Sequence, residues 1–125
     1  MLDVDVIGDA LPAEEIRRAA TLAAASAGVD DGHLAIEFVD ADRIADLNGR
    51  HRGKRQPTDV LSFPVDEDAA TAGPRELGDI MICPELTTDV LEAVVHGVLH
   101  LTGMDHESDE GEMLALQAEL VGWFR

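Results

Sequence analysis

Three histidines fall within eleven residues, in the order His96-x3-His100-x2-Gly103-x2-His106. On a helix, positions four apart share a face, with Cβ atoms about 5–6 Å apart. His96 and His100 can therefore present two imidazole nitrogens to one point. Zinc takes imidazole nitrogen at about 2.0–2.1 Å in a tetrahedral shell. Gly103 can take the positive φ that reverses a chain after a helix, which would return His106 to the open side of the pair. Three nitrogen ligands leave a fourth position for water, as catalytic rather than structural zinc sites do. The expectation is one zinc ion per chain, held by His96, His100 and His106. A lone helical histidine is more often a hydrogen-bonded polar residue than a ligand; the grouping of three of the five histidines weighs against that here. His33 and His51 lack ligand spacing and read as ordinary polar residues.

The same spacing occurs in the metzincin proteases, where a glutamate beside the first histidine is the general base. Here that position is Gly97. A hydrogen in place of a carboxylate cannot take a proton from water, so a zinc peptidase is disfavoured on chemical grounds. Glycine also costs a helix about 1 kcal/mol relative to alanine, which predicts the close approach of another element at this point.

A second constellation is the run RHRGKR, residues 50–55, which gathers Arg50, Arg52, Lys54 and Arg55, four of the nine basic residues. One reading is a solvated loop; the other is a local phosphate-attracting site on an otherwise repulsive body. With 26 acids and a formal charge of -17, the chain as a whole opposes nucleic acid, because phosphate contacts come from Lys and Arg.

Elements must position these groups. Residues 2–7 alternate apolar and acidic, the signature of a half-buried strand. Pro12 opens a helix through residue 27, with Ile16, Ala19, Ala20, Ala23 and Ala24 on one side. Residues 33–39 alternate again. Asp40 caps a short helix through Leu47, which Asn48-Gly49 stops, leaving the basic run as a loop. Strands follow at 60–64 and 79–83, separated by a mobile acidic loop at 65–77. A helix covers about 89–102, with Asp89 and Glu92 at capping-box spacing. A last helix runs from about Ser108 to Phe124, with Met113, Leu116, Leu120, Val121 and Phe124 at helical spacing. The order βαβαββαα predicts an α+β fold, a small four-stranded mixed sheet with helices packed on it.

The length, 125 residues, fits one domain over residues 1–125. Hydrophobic residues make up 46% of the chain and aromatic ones 3%, so the core is expected to be aliphatic. From the first residues no secretory leader is expected, and no apolar run reaches membrane-spanning length. The single cysteine, Cys83, excludes an internal disulfide and reads as a packed strand-end residue. A cytoplasmic location without a membrane partner is expected.

The stretches LNGRHRGKRQPTDVLSFP (47–64), GDIMI (78–82), HGVLHLTGMDH (96–106) and EMLALQ (112–117) together resemble the YbeY endoribonuclease family. The resemblance implies a zinc-dependent endoribonuclease acting on single-stranded RNA. Its role would lie in 3′-end maturation of small-subunit ribosomal RNA and in ribosome quality control. It implies His96, His100 and His106 as metal ligands and Arg52 as the functional arginine. On chemical grounds zinc would activate a water or polarise a phosphoryl oxygen, and Arg52 would clamp and stabilise the phosphate. Arg50, Lys54 and Arg55 would bind flanking RNA. Ribosomal RNA and the small ribosomal subunit are the implied partners, with a ribosome-associated GTPase or a ribosomal protein beside them. Asp105 and Glu107 flank the third ligand as candidate proton acceptors, and Thr58 and Asp59 read as residues that fix the loop. The lead-in to the zinc helix, CPELTTDVLEAVV, is shorter than relatives carry, which would reshape one wall of the cleft. The rival readings are a non-catalytic, zinc-stabilised ribosome assembly factor and, more remotely, the peptidase.

Overall fold

In the computed structural model the alternating segment Leu2–Ile7 forms strand β1, with Leu2 and Val4 buried. The structure describes residues 2–64, 76–104 and 111–124, with the side chain of Arg52 left out. Helix α1 spans Ala13–Ser26, with Pro12 at its N-cap. Its buried face is Ile16 with Ala19, Ala20, Ala23 and Ala24, small side chains that let neighbouring backbones approach closely. Strand β2 covers Gly32–Phe38, helix α2 Ala41–Arg52, strand β3 Val60–Pro64 and strand β4 Glu76–Ile82. A single 3-10 turn, Pro84–Leu86, leads to helix α3, Val90–Leu101, and helix α4, Glu112–Trp123, closes the order βαβαββαα.

The four strands lie in the order β1-β2-β4-β3. β1 pairs with β2 and β2 with β4 in parallel, and β3 runs antiparallel to β4. The sheet is mixed, as the element order leads one to expect. One face carries Leu34, Ile36, Ile80 and Ile82 into the main core, against α1, α3 and α4. A smaller cluster, Ile44, Leu47, Leu61 and Cys83, joins α2 to β3 and the end of β4. No aromatic side chain belongs to the buried part of either cluster among the described residues, so the core is aliphatic as composition predicts.

Three boundaries differ from the sequence expectation, the first being α4, which begins at Glu112 after the N-cap Gly111 rather than at about Ser108. α2 does not stop at Asn48-Gly49 but continues to Arg52, and Gly53, at φ 74°, caps it in the left-handed region. Asn48 is buried, and its Nδ2 donates to the carbonyl of Gln56 at 3.0 Å, so it folds the following loop back rather than ending the helix. Gly49 is helical too, and a Cβ there would come 3.2 Å from that of Arg55, so glycine leaves room for the returning loop. β4 starts at Glu76, not Asp79. Gly78, at φ 134°, makes this extension feasible, since a side chain there would collide with the Phe63 carbonyl across the β3–β4 ladder. The mobile loop expected at 65–77 otherwise lies outside the described residues.

Candidate metal centre

Helix α3 begins where its sequence says it should. Asp89 is the N-cap, its Oδ1 accepting from the backbone N–H of Glu92 at 3.2 Å. Val94, Val95, Val98 and Leu99 face the core and fix the helix's rotation. That rotation turns His96 and His100 to a half-buried flank. Gly97 faces the sheet, where a Cβ would come 2.7 Å from Ile80 Cγ2, so the helix lies too close to β4 for any side chain there. The metzincin glutamate is thus sterically excluded, not merely replaced. Ser62 Oγ on β3 donates to the Gly97 carbonyl at 3.4 Å.

The helix ends in a tight reversal. Gly103, at φ 105°, donates its N–H to the His100 carbonyl at 3.0 Å, and the N–H of Met104 reaches the Leu99 carbonyl at 3.1 Å. This 6→1 and 5→2 pair is the Schellman arrangement. It carries the Met104 carbonyl to His100 Nδ1, 3.1 Å away. A carbonyl can only accept, so Nδ1 of His100 bears the proton. On the other ring, Nδ1 of His96 faces Gln117 Oε1 of α4 at 2.6 Å, which places its proton likewise. In a neutral imidazole with protonated Nδ1, Nε2 is the accepting nitrogen.

Those two Nε2 atoms face one another 3.1 Å apart. Two ligands at about 2.0–2.1 Å on one tetrahedral zinc would be roughly 3.3–3.4 Å apart. The rings, 4.6 Å between centroids and 77° between planes, could hold one cation between their Nε2 atoms. Ligating histidines commonly donate their other N–H to a carbonyl or carboxylate, as both do here. Among the described residues no group of three His, Cys, Asp or Glu could hold a metal ion. His106, with Asp105 and Glu107, lies outside them.

Beside His96 opens a cleft of about 290 Å³, lined on one wall by Asp59 and Val60, on another by Thr87, Thr88, Asp89 and Glu92, and closed by Leu86, Leu114 and Gln117. Among its described lining residues none is lysine or arginine. Asp59 is held as expected: its Oδ1 accepts from Val60 N–H at 2.9 Å and from Thr58 Oγ at 3.3 Å. Its carbonyl accepts from Cys83 N–H at 2.8 Å, which ties the wall to the end of β4. Cys83 is fully buried.

The basic run leads into this wall. Arg55 precedes Asp59 by four residues, which even fully extended span at most about 14 Å. Arg50, at the helical end, pairs with Asp46 at 3.3 Å. His51 packs its ring on Phe63, 4.6 Å between centroids. Lys54 and Arg55 are exposed, and Arg52 is the last residue of α2. His96 and His100 are brought together; Arg50 is engaged elsewhere on its own helix.

Two features escaped the sequence. Gln117 reaches His96 from 21 residues away, and no spacing links the two before α3 and α4 are packed. His33 Nε2 donates to Asp5 at 2.8 Å and Nδ1 to Glu76 at 2.6 Å, a clamp across β1, β2 and β4. These hydrogen bonds, first to Asp5 and then to Glu76, raise the His33 pKa above its ordinary value.

A family model described as Endoribonuclease YbeY matches residues 9–124. Relatives of that name include those of Salinispora tropica, 43% identical over 116 residues that cover 74% of each chain, and Bacillus cytotoxicus, 39% identical over 131 residues, covering 87% of this chain and 84% of the relative. The relative from Corynebacterium glutamicum is 42% identical over 117 residues, covering 75% of this chain and 60% of its own. The chain thus spans about three fifths of that relative's length. The solution structure of TM1509 from Thermotoga maritima is similar with a TM-score of 0.58 and 27% identity, covering 94% of this chain and 86% of that one. It shares the α+β architecture. With the family model covering nearly all of it, the chain belongs to the YbeY endoribonuclease family.

Proposed function

We propose that this chain is a zinc-dependent endoribonuclease for single-stranded RNA, a single domain over residues 1–125, with one zinc ion held by His96, His100 and His106. The observation that carries the reading is the pair of Nε2 atoms 3.1 Å apart, each on a ring whose Nδ1 meets an acceptor. When bound, such an ion supplies Lewis acidity and an acidified water. The chain's own residues do the rest. Gln117 and the Met104 carbonyl hold the two rings in one tautomer. Arg52 clamps a phosphate, for which a guanidinium fork is suited. Lys54 and Arg55 hold flanking phosphates, as does Arg50 on exchanging its partner Asp46 for phosphate, while Asp89 and Glu92 keep phosphate away from the wall opposite the basic run. By family, the substrate is small-subunit ribosomal RNA at its 3′ end, in maturation and quality control. The setting is the cytoplasm, with the small subunit, a ribosomal protein or a ribosome-associated GTPase as partners. No helix among the described residues is long and apolar enough to cross a membrane.

The charge of -17 favours one alternative, a non-catalytic assembly factor that docks through the basic run alone. The exclusion of any side chain at position 97 argues against a peptidase. Zinc-loaded protein offered single-stranded ribosomal RNA and unfolded casein separates all three. The proposal expects RNA to be cut and casein left intact. It expects Arg52→Ala to keep its zinc and lose 10² to 10³ in rate, the scale of a lost transition-state contact, and Arg52→Lys to recover part of it. Zinc-dependent casein cleavage without RNA cleavage would establish the peptidase, and RNA binding without cleavage the assembly factor.

A further inference from the structure

Resting on the metal reading above, we infer that Gln117 is the positioning residue for His96, and that it acts as a deliberately neutral acceptor. The α4 side chains on either side of it, Met113, Leu120 and Val121, are buried in the main core, which fixes the height and rotation of Gln117 against α3. From there its Oε1 meets His96 Nδ1 at 2.6 Å, and the same side chain lines the cleft. The contact sets the tautomer, so Nε2 is the nitrogen presented toward His100.

The chemical type of the partner matters as much as its place. A carboxylate in this position would raise the basicity of the ligating ring and add negative charge beside the metal. Among the described residues the Nδ1 partners are a carboxamide and the Met104 carbonyl, which orient the rings without adding any. In a cleft already walled by Asp59, Asp89 and Glu92, a neutral orienter adds no further negative charge where a phosphate must approach. Because Gln117 comes from α4 and its histidine from α3, a bound ion also joins the two helices through this hydrogen bond.

The test uses the intact chain with Gln117→Leu, which removes the acceptor at similar volume, and Gln117→Glu, which restores one with charge. Zinc affinity is read by competition with a chelator, and the melting temperature of the metal-free forms is measured beside it. Removal of such outer partners typically costs 10- to 100-fold in metal affinity. Gln117→Leu is expected to show that loss with the metal-free melting temperature of the parent. Gln117→Glu is expected to hold zinc at least as tightly as the parent while cutting RNA more slowly. Nitrogen NMR of the zinc-loaded parent should show His96 protonated at Nδ1. A leucine variant within twofold of the parent's affinity overturns the role of Gln117, as does a glutamate variant that binds zinc more weakly than the parent. Should the leucine variant not fold, the glutamate variant and the NMR signal decide. A parent that binds no zinc overturns the metal reading itself, a result distinct from these.

Discussion

His33 shows what a single side chain can owe to the register of a sheet. Its two ring nitrogens both face carboxylates, Asp5 28 residues away and Glu76 43 residues away. Ionised carboxylates only accept, so the clamp is complete when the imidazole is charged. The pKa of the folded state is raised, first by the hydrogen bond to Asp5 and then by that to Glu76. Stabilisation from the clamp is therefore fully present below the unfolded value of about 6.5 and is lost as pH rises through the raised folded value. The melting temperature of the parent should fall over that window, and His33→Asn should lack that part of the fall; equal pH dependence in both proteins would contradict it. In the sequence His33 reads as an ordinary polar residue, because its partners become neighbours only when β1, β2 and β4 pair. His96 and His100 were legible for the opposite reason: their relation is local, one turn of one helix, and needs no tertiary structure to state.

Among the elements, α3 is the one on which the site depends, and Gly97 sets its distance from the sheet. Helix propensity and packing make opposite predictions there. Alanine would favour the helix by about 1 kcal/mol. Its Cβ would also meet Ile80 Cγ2 at 2.7 Å, on a side chain with no exposure at all. A β-branched side chain in a strand has little rotamer freedom to yield, and overpacking typically costs about 1–3 kcal/mol. Gly97→Ala should therefore destabilise the protein in urea unfolding, and a stabilised variant would contradict the packing account. The close approach was legible in the sequence as an unexplained helix breaker; the residue it approaches was not. Strand and helix order was legible from periodicity throughout. The end of α2 was misplaced, because Asn48 and Gly49 usually stop helices, whereas here one is spent on a loop carbonyl and the other on the passage of Arg55. The start of β4 was misplaced because its pairing with β3 is what extends it to Glu76.

At the scale of the whole molecule, a charge of -17 and the proposed chemistry on phosphate are reconciled by the grouping of cations. Four of nine cations lie in six consecutive residues at the end of α2 and the loop after it. The chain runs from there straight into the wall of the cleft at Asp59. Both walls carry acids, Asp59 on this one and Asp89 and Glu92 on the other. A polyanion would approach from the basic run rather than along either acidic wall, with His96 lining the cleft. The grouping of cations is plain in the sequence, but that it feeds the cleft wall follows only from β3 lying against α3. All of this turns on a metal between His96 and His100 driving RNA cleavage. The most direct test is to titrate zinc into metal-free protein while following bound metal and cleavage of single-stranded RNA together, with His100→Ala in parallel. Cleavage should rise in proportion to bound zinc and stop rising at about one ion per chain, the count for a single mononuclear site. The variant should neither reach that stoichiometry nor cut. Cleavage at the parent rate by metal-free protein or by His100→Ala, or a fully loaded parent that leaves RNA whole, would contradict the account.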